Sequence, residues 1–259
     1  METPLDIAGL FSLKGRRAFV TGASGVLGAH FTRVLHGAGA QVALAARRRE
    51  ATAALAAELG AGAAAVPLDV TDPSSIAAAF DAAEAALGGP CDILVNNAGI
   101  AVTKPFLQQG ADDWDGVMAV NLRGCFLVGQ EAARRLAAAK QPGSVINIAS
   151  VLGERIIPGV AGYTAAKAGL LHLTRQMAVE LARFSIRVNA IAPGYVATDL
   201  NRDYFASEAG QAMIRRIPQR RLGSPADLTG ALLLLASDAG AHMTGTTVTV
   251  DGGHSVNPL

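Results

Sequence analysis

The sequence predicts an α/β fold in which helices cover both faces of a parallel sheet. From residue 17 nearly to the C-terminus, short runs rich in β-branched and apolar residues alternate with longer alanine-rich segments at helical spacing. That alternation is typical of a parallel sheet whose strands are joined by helices. No linker, low-complexity tract or internal repeat divides the chain, so we expect residues 1–259 to form one domain.

The same pattern predicts seven strands and seven helices, with bounds uncertain by about two to four residues. Short apolar runs place the strands near residues 17–21, 41–46, 63–68, 92–95, 143–149, 186–192 and 246–250. Helical apolar spacing and alanine content place the helices near residues 26–37, 48–60, 73–87, 112–140, 161–183, 202–216 and 225–236. Strands and helices therefore alternate along almost the whole chain.

Composition excludes several classes of function. Apolar residues make up 51% of the chain and charged residues 17%, and the formal net charge of +1 argues against a nucleic acid or a membrane surface as the main partner. Cys91 and Cys125 have neither metal-ligand nor disulfide spacing, so no metal site is expected. No window reaches the roughly 18 apolar residues of a membrane span, and residues 1–17 do not resemble a secretory signal. We expect a soluble cytoplasmic protein.

A glycine-rich turn follows the first predicted strand. Residues 21–28 read Thr-Gly-Ala-Ser-Gly-Val-Leu-Gly, and a helical apolar pattern follows. Glycines between a first strand and a first helix let backbone amides and the positive helix end face a pyrophosphate. An ordinary tight turn is the alternative, but the strand before and the helix after favour nucleotide binding.

The second strand ends at Ala46 and is followed by three arginines, Arg47, Arg48 and Arg49. At this point of a dinucleotide-binding unit, an acidic residue accepts hydrogen bonds from the 2′-hydroxyl of NAD, whereas an arginine accommodates the 2′-phosphate of NADP. Arg48 and Arg49 fit the exposed face of a helix. Because no nearby carboxylate takes the NAD role, we assign Arg47 to the phosphate and predict a preference for NADP(H), with NAD(H) as the alternative.

Polar residues also end the third and fourth strands. Asp69 and Val70 follow one of them, and residues 96–99, Asn-Asn-Ala-Gly, close the other. Ligands of open parallel sheets lie outside the carboxyl ends of the strands, so these residues are placed for contact with a nucleotide. Asp69 either touches adenine or caps the next helix, a role that suits Asp72 better. The two asparagines could instead serve a tight turn, but adjacent amides at a buried strand end need partners.

Tyr163 and Lys167 are the main candidates for chemistry. If Tyr163 opens a helix, as the apolar spacing after it indicates, the two side chains stand one turn apart on the same face. A phenol ionises only near pH ~10, but a neighbouring cation favours the phenolate. Ser150, at the end of a buried apolar run, could hold a substrate oxygen beside them. Taken alone, the pair could be a coincidence on a partly exposed helix.

Together these motifs resemble those of the short-chain dehydrogenase/reductase family over residues 12–253. Each motif is modest, but their order and spacing match the family. The matching positions are residues 21–28, residues 96–99, Asn121 within residues 120–124, Ser150, Tyr163 with Lys167, and Pro193 with Gly194. The resemblance implies a doubly wound Rossmann-type domain of seven parallel strands that binds a nicotinamide cofactor.

The resemblance also implies roles for individual residues. Asn121, Ser150, Tyr163 and Lys167 would be the catalytic four, with Asn121 holding a water that relays protons to Lys167. The cofactor would be held by residues from several strand ends: Thr21, Gly22, Ser24, Leu27, Gly28, Arg47, Asp69, Val70, Asn97, Ala98, Gly99, Tyr163, Lys167, Pro193, Gly194, Val196 and Thr198. The family further implies a homotetramer or homodimer, with the segments near 112–140 and 161–183 as one interface.

One departure from the family pattern concerns Val26, which stands where the pattern has its middle glycine. An extra glycine, Gly25, comes one residue earlier. A β-branched residue is a genuine outlier at positive φ, so Val26 is predicted to be helical already. We therefore expect the loop to differ in detail while its amides still face the pyrophosphate.

The segment of residues 195–223 is expected to cover the substrate as a lid. Thr198 would reach the nicotinamide carboxamide, and Tyr195 and Leu152 would line the substrate space. Glu154 would line it as well, although a solvated loop charge is an equal interpretation. Four arginines fit a solvated or interface face better than an anion site: Arg215, Arg216, Arg220 and Arg221.

The sequence therefore predicts NADP(H)-dependent interconversion of a ketone or aldehyde and an alcohol, with Tyr163 as general acid and base. The main alternative is an NAD-dependent dehydrogenase of a sugar or sugar acid, against which the lack of an acidic residue at Ala46 argues. Acyl-thioester reduction is open as well. A regulator that binds the cofactor without chemistry is a remote alternative, because Ser150, Tyr163 and Lys167 are all present.

Overall fold

The strands form one parallel sheet. The computed structural model describes residues 6–197 and 202–256. The strands are β1 Arg17–Thr21, β2 Gln41–Ala46, β3 Ala63–Pro67, β4 Ile93–Asn96, β5 Gly143–Ile148, β6 Ile186–Pro193 and β7 Thr247–Val250. They lie in the order β3-β2-β1-β4-β5-β6-β7, and every neighbouring pair is parallel. The predicted fold class is confirmed, and each strand bound lies within one residue of its predicted position.

The described residues form the α-helices α1 Ile7–Leu10, α2 Val26–Gly37, α3 Arg49–Leu59, α4 Pro73–Leu87, α5 Ala111–Met118, α6 Cys125–Ala139, α7 Ala161–Leu181, α8 Arg202–Ala206, α9 Glu208–Ile214 and α10 Thr229–Ala236. Two predictions of continuous helices are wrong. A π-helical turn, Ala119–Gly124, separates α5 from α6, and Ser207 separates α8 from α9 by capping α9. Within these residues, none of the helices combines the length and apolarity that a membrane crossing requires.

The sheet buries a hydrophobic core on each face. In β1, Ala18 and Val20 point to one face and Phe19 to the other, because successive strand side chains alternate. Helices α2, α3 and α10 cover the first face, while α4, α6 and α7 cover the second. There the rings of Phe19 and Phe80 stack with centroids 4.3 Å apart. Burial on both faces explains why the central strands read as continuous apolar runs.

The connections of the sheet reverse direction between β1 and β4. From β1 the chain continues outward through β2 and β3, and from β4 it continues through β5, β6 and β7 to the other edge. Ligands of open α/β sheets bind at such a switch point, outside the carboxyl ends of the strands. The glycine turn of residues 21–28 follows β1, and residues 97–99 follow β4. The topology therefore brings these two motifs together.

The π-helical turn between α5 and α6 places Asn121 beside this switch point. Asn121 is fully buried. Gly124 ends the turn, and a Cβ on it would lie 2.9 Å from Cγ2 of Val70, just beyond β3. The absent side chain lets the start of α6 approach the sheet. Such π-turns insert one residue into a helix and are frequent at functional sites.

Candidate active site

A groove of ≈ 770 Å³ runs along the carboxyl ends of β1 to β4. Its lining includes ten of the residues predicted to hold a cofactor: Gly22, Ser24, Leu27, Gly28, Arg47, Asp69, Val70, Asn97, Ala98 and Gly99. Sequence reasoning missed further lining residues, each of which adjoins a recognised motif in sequence or in space: Ala45, Arg48, Leu68, Thr71, Ile100 and Val120. Their positions close to the predicted strand ends are the feature of the sequence that could have identified them.

The glycine turn packs too tightly for side chains at two positions. Gly22 has φ 64°, in the left-handed region. A Cβ on Gly28 would lie 2.2 Å from the carbonyl oxygen of Gly22 and 2.8 Å from Nδ2 of Asn97. Helix α2 begins at Val26 after the extended Gly25, so the prediction that Val26 is helical is confirmed. The tight turn leaves the N-terminus of α2 facing the groove, an arrangement that suits an anionic group.

Thr21 ties the end of β1 to the end of β4. Its Oγ1 accepts hydrogen bonds from the backbone amides of Asn97 and Ala98, each at 2.9 Å. Nδ2 of Asn97 donates in return to the carbonyl oxygen of Thr21 at 3.0 Å. These contacts supply the partners that buried polar groups require. Thr21 is therefore buried behind the groove and supports it, whereas Asn97 lines it.

The arginines after β2 lie at the groove as well. Arg47 and Arg48 both line it and both are exposed. Arg48 donates from Nη2 to the carbonyl oxygen of Ser24 at 2.9 Å and from Nε to its Oγ at 3.3 Å. Arg48 is thus exposed, as expected, but it also binds the glycine turn, which the sequence did not indicate. Arg49 is exposed at the start of α3.

Asp72, and not Asp69, caps helix α4, as its position in the sequence indicated. Asp72 caps α4 by accepting from the amide of Ser74 at 2.8 Å. Oδ1 of Asp69 accepts from the hydroxyl of Thr71 at 2.7 Å and from its amide at 2.9 Å. These bonds to Thr71 lower the pKa of Asp69 and outweigh the opposing effect of burial, while the nearby charges of Arg47 and Asp72 act in opposite directions. An ionised carboxylate, oriented by Thr71, therefore lines the groove.

Lys167 brings a buried positive charge next to Tyr163. Its side chain is almost inaccessible, with the residue 4% exposed, and Nζ donates to the carbonyl oxygen of Ile148 in β5 at 2.7 Å. Nζ lies 5.6 Å from the centre of the Tyr163 ring. Helix α7 begins at Ala161, so both residues lie in its first two turns, one turn apart as predicted. The ammonium is held between the phenol and the strand.

Ser150 follows the end of β5 and is 7% exposed. Its Oγ accepts from the amide of Leu152 at 3.1 Å and so starts the 3₁₀ turn Val151–Gly153. A Cβ on Gly153 would lie 2.9 Å from the carbonyl oxygen of Lys167, which shows that this turn packs directly on α7. Because the hydroxyl proton is not used in accepting, Ser150 can donate to a substrate oxygen.

Asn121 and Gly99 lie beside Lys167. Oδ1 of Asn121 accepts from the amide of Ile100, and its Nδ2 donates to the carbonyl oxygen of Ile100, both at 2.8 Å. A Cβ on Gly99 would lie 3.5 Å from Oδ1 of Asn121 and 3.8 Å from Nζ of Lys167. Asn121 therefore holds the loop after β4 next to Lys167. An amide oxygen has a second lone pair, so Asn121 can accept one further hydrogen bond.

The chain after β6 runs close to the C-terminal turn. Pro193 ends β6, and a Cβ on Gly194 would lie 2.7 Å from Cβ of Asp251. The carboxylate of Asp251 accepts from the amides of Gly253 and Ser255 at 2.8 and 2.6 Å, which fixes that turn. The segment of residues 195–223 therefore starts beside a turn that is fixed by hydrogen bonds. Thr198 lies outside the described residues.

The two ends of the segment of residues 195–223 lie next to each other. Val196, which is buried, forms an isolated parallel bridge with Gly223. Tyr195 is partly buried, and its ring packs edge-on against Phe205 of α8 with centroids 5.6 Å apart. Leu152, next to Ser150 in chain order, is partly buried, whereas Glu154 is exposed. The exposure of Glu154 favours the solvated interpretation of that charge.

Two arginines of the segment of residues 195–223 bind partners within or next to it. Arg221 binds Asp227 with Nη1 and Oδ2 2.8 Å apart and lowers the pKa of that carboxyl well below its usual range. Arg220 donates to the carbonyl oxygen of Arg215. These contacts occupy Arg220 and Arg221 within the protein, which argues against an anion site at these two residues.

Comparisons with known proteins agree over nearly the whole chain. A protein-family model described as enoyl-(acyl carrier protein) reductase matches residues 22–255. The 3beta-hydroxysteroid dehydrogenase 1 of Eggerthella lenta is 42% identical over 252 residues, which cover 95% of this chain and 96% of that protein. The relationship therefore extends from the glycine turn to the C-terminal turn.

Solved structures show the same architecture. A short-chain type dehydrogenase/reductase from Mycobacterium marinum has a TM-score of 0.90 and 38% identity, with 96% of this chain and 99% of that chain covered. A gluconate 5-dehydrogenase from Burkholderia cenocepacia J2315, solved in complex with NADP and tartrate, has a TM-score of 0.92 and 38% identity, with 97% and 99% covered. The protein thus belongs to the short-chain dehydrogenase/reductase family of NAD(P)-dependent oxidoreductases.

Proposed function

We propose that this protein interconverts a ketone or aldehyde and an alcohol with NADP(H), and that Tyr163 is the general acid and base. One observation supports the proposal most: the ammonium of Lys167 is buried 5.6 Å from the Tyr163 ring, beside Gly99 at the nucleotide groove. An ammonium beside a phenol stabilises the phenolate that remains after proton donation. Tyr163 is thereby suited to donate a proton in one direction and to accept it in the other.

Ser150 and Tyr163 share the work at the substrate oxygen. In reduction, Oγ of Ser150 donates a hydrogen bond to the carbonyl oxygen, and Tyr163 gives its proton to that oxygen as the alcohol forms. In oxidation, the Tyr163 phenolate takes the hydroxyl proton. Positioned proton transfer of this kind contributes about two to four powers of ten in rate.

Lys167 and Asn121 support that proton transfer. The bond from Nζ of Lys167 to the Ile148 carbonyl oxygen keeps the ammonium close to Tyr163. Asn121 fixes the loop at Ile100 and has one lone pair left on Oδ1. A water held there would relay a proton between solvent and Lys167. Catalysis by these four residues thus combines proton exchange with a fixed geometry.

The groove residues fit a nicotinamide dinucleotide. The glycine turn and the first amides of α2 would hold the pyrophosphate, Asp69 the adenine, and Pro193, Gly194, Val196 and Thr198 the nicotinamide end. When bound, the nicotinamide supplies or takes the hydride. Arg47 would meet the 2′-phosphate, and the buried methyl of Ala46 offers no carboxylate to the 2′-hydroxyl of NAD. NADP(H) is therefore the preferred cofactor, and NAD(H) the less favoured one.

A cofactor-oxidation screen with NADPH and NADH, over ketones, sugar acids and 3-oxoacyl thioesters, tests this function. With the best substrate, Tyr163→Phe should lower kcat at least about a hundredfold, because the phenyl ring has no proton to give. NADPH binding, followed by quenching of Trp114, should be retained. Near-normal turnover by Tyr163→Phe would show that another group transfers the proton.

A second candidate is NAD-dependent oxidation of a sugar acid. The sugar-acid substrate is supported by the Burkholderia neighbour, which is named a gluconate 5-dehydrogenase and was solved with tartrate, but that structure holds NADP and gives no support for NAD. The same screen, run in the oxidation direction with NAD⁺ and NADP⁺, separates the two candidates. Sugar-acid turnover that prefers NAD⁺ would favour the second candidate and overturn the role of Arg47.

We also propose that the protein is a homotetramer or homodimer. An apolar groove of ≈ 680 Å³ lies between the α5–α6 region and α7, lined in part by Leu122, Phe126 and Leu173. Phe126 is 41% exposed there, and a Cβ on Gly169 would lie 2.9 Å from Cδ2 of Leu122. Contiguous apolar surface that is exposed to solvent is one mark of a protein interface. A second copy that brings the same face would cover both patches at once.

Two further features belong to this proposal. The free, buried Cys91 and Cys125 suit a reducing compartment, so we place the protein in the cytoplasm. Residues 1–259 would act as a single dinucleotide-binding and catalytic domain. Detection of the native protein in a cytosolic fraction tests the first point, and a single cooperative unfolding transition tests the second.

A further inference from the structure

A chain of buried hydrogen bonds crosses from β4 to α7 behind the candidate catalytic residues. Nδ2 of Asn96 donates to Oδ1 of Asn147 in β5 at 3.0 Å and to the carbonyl oxygen of Cys125 at 3.2 Å. Nδ2 of Asn147 donates to Oγ1 of Thr174 in α7 at 2.9 Å, and Thr174 donates to the carbonyl oxygen of Leu170 at 2.8 Å. The three polar residues are at most 1% exposed.

This chain joins the elements that carry the site. Cys125 is the first residue after the π-helical turn that holds Asn121. Asn147 lies in β5, whose end leads to Ser150, and Thr174 lies in the helix that begins with Tyr163 and Lys167. None of the three polar side chains is among the residues that line the nucleotide groove. Their influence on the site must therefore pass through the positions of these elements.

Helix α7 is attached to β5 by polar bonds at two points. Lys167 binds the carbonyl oxygen of Ile148, and Thr174 accepts from the preceding residue, Asn147. Lys167 and Thr174 are seven residues apart, about two turns, so both lie on the face that meets the strand. The buried side chains of Leu170 and Ala178 also pack the helix against the core, and the Thr174 bond adds a directional constraint at a second point.

The distances of Thr174 and Tyr163 from Lys167 along the helix determine how far Tyr163 moves when Thr174 is displaced. At a rise of 1.5 Å per residue, Thr174 lies about 10 Å beyond Lys167 along the helix, and Tyr163 lies about 6 Å before it. A displacement of about 1 Å at Thr174, with Lys167 as pivot, would therefore move Tyr163 by roughly 0.6 Å. Misplacement of a reacting group by ~1 Å can cost about a hundredfold in rate.

We propose that Asn147 and Thr174 are positioning residues that set the separation of Tyr163 from Ser150 by fixing the tilt of α7 against β5. The inference rests on the proposed function, because it takes Tyr163 as the proton donor. The alternative is that the bonds only satisfy buried polar groups and stabilise the fold. The two interpretations differ in what loss of the Thr174 hydroxyl does to hydride transfer.

Thr174→Val removes the hydroxyl with little change in volume. We expect kcat to fall about tenfold, since the shift at Tyr163 is smaller than the one that costs a hundredfold. The primary isotope effect with deuterated NADPH should rise, because hydride transfer then limits turnover more, while KM for NADPH stays within about twofold. Thr174→Ser retains the hydroxyl and should restore wild-type kcat and isotope effect.

Thr52 in α3 provides the matched control. It is also fully buried, and its Oγ1 donates to a carbonyl oxygen of its own helix, that of Arg49, at 2.9 Å. Thr52→Val should lower the unfolding temperature as Thr174→Val does, but leave kcat and the isotope effect unchanged. If Thr174→Val keeps wild-type kcat and isotope effect, or loses no more activity than Thr52→Val, the positioning role is wrong.

Trp114 gives a readout that does not depend on activity. It is the single tryptophan of the chain, and its Cε3 lies 3.7 Å from the position of a Cβ on Gly162, next to Tyr163. Its quenching by acrylamide should change in Thr174→Val and not in Thr52→Val. Unchanged quenching would overturn the proposed tilt even if Tyr163→Phe had already refuted the proposed function. If Thr174→Val does not fold, Thr174→Ala serves for the same comparisons.

Discussion

Arg47 and Arg48 leave the end of β2 with different surroundings. The side chain of Arg48 is bound to Ser24 in the glycine turn. Arg47 lines the same groove, and its positive charge acts on Asp69, at the base end of a bound nucleotide in our proposal. A phosphate on the adenosine ribose would lie near this point, whereas the pyrophosphate would lie at the glycine turn. The two neighbours are therefore expected to affect cofactor use differently.

We predict that Arg47→Ala lowers kcat/KM for NADPH about ten- to a hundredfold and spares NADH. A charge-assisted hydrogen bond is worth about 1.5–3 kcal/mol, and NADH has no 2′-phosphate to receive it. Arg48→Ala should weaken both cofactors by a similar factor, since it loosens the turn that both pyrophosphates need. Steady-state kinetics with each cofactor measures the two ratios.

Arg49→Ala is the matched control, because that side chain is exposed on α3 and should change neither ratio. Equal losses for NADPH and NADH in Arg47→Ala would contradict the assignment of the 2′-phosphate to this residue. A wild-type protein that uses both cofactors equally would contradict it as well.

At the residue scale, the sequence predicts contacts within one element better than contacts between elements. Tyr163 and Lys167 are brought together by helical spacing alone, and the structure has Nζ 5.6 Å from the ring. The bond between Arg48 and Ser24 joins residues 24 positions apart and depends on the path of the chain after β2. No local pattern encodes that path, so the sequence indicates only that Arg48 lies on the exposed face of a helix.

At the element scale, α2 and α10 are joined by His30 and Thr229, whose Nε2 and Oγ1 lie 2.9 Å apart. Partial burial lowers the pKa of His30, and the charge of Arg33, one turn along α2, lowers it further. The folded protein thus keeps this imidazole neutral at a pH where an unfolded chain already binds a proton.

We predict that the protein loses stability as pH falls below the ordinary histidine pKa of 6.5. Protons bind the unfolded chain first, so the contribution of neutral His30 is fully present above that pH and is lost as pH falls through the lower folded pKa. Unfolding temperatures between about pH 8 and 5 measure the loss, which should be smaller in His30→Gln. The exposed His242 gives a control, His242→Gln, that should follow the wild type. If His30→Gln does so too, His30 is not the group responsible.

At the element scale, sequence patterns predict the strands well but miss interruptions within helices. The strands were predicted to within one residue because each is a short apolar run bounded by turns. The π-helical turn Ala119–Gly124 was not predicted, because one inserted residue barely changes the apolar spacing over 29 residues of predicted helix. The lid was predicted as one helix, but Ser207 can bond the amide of Gly210, and this cap divides the helix.

At the scale of the whole molecule, the switch point gathers the candidate site from distant parts of the chain. Thr21 binds Asn97 and Ala98, and Lys167 binds Ile148, so the ends of β1, β4 and β5 are fixed around one space. Alternation of strands and helices predicted this arrangement, since it depends on topology. It did not predict how the segment of residues 195–223 is arranged, because a helix cap at Ser207 and the bridge between Val196 and Gly223 decide the path of the chain there.

The outer face of α6 and α7 carries apolar residues that suit contact with a second copy of the chain. Phe126 and Leu173 leave an apolar groove on the surface opposite the sheet, and Leu122 packs into it beside Gly169. We expect the wild-type protein to run as two or four copies of its 26.4 kDa chain in size-exclusion chromatography with light scattering. Phe126→Glu should give a smaller species, because a carboxylate buried at a symmetric interface meets its own copy.

Ile7→Glu is the control for assembly, because it places the same charge on an exposed apolar residue of α1, far along the chain from this groove. It should leave the mass unchanged. A wild-type protein that is a monomer at all concentrations, or a Phe126→Glu variant with wild-type mass, would contradict this interface. Loss of activity together with assembly would further indicate that a second copy holds α7, and with it Tyr163, in place, since α7 lines both the groove and the site.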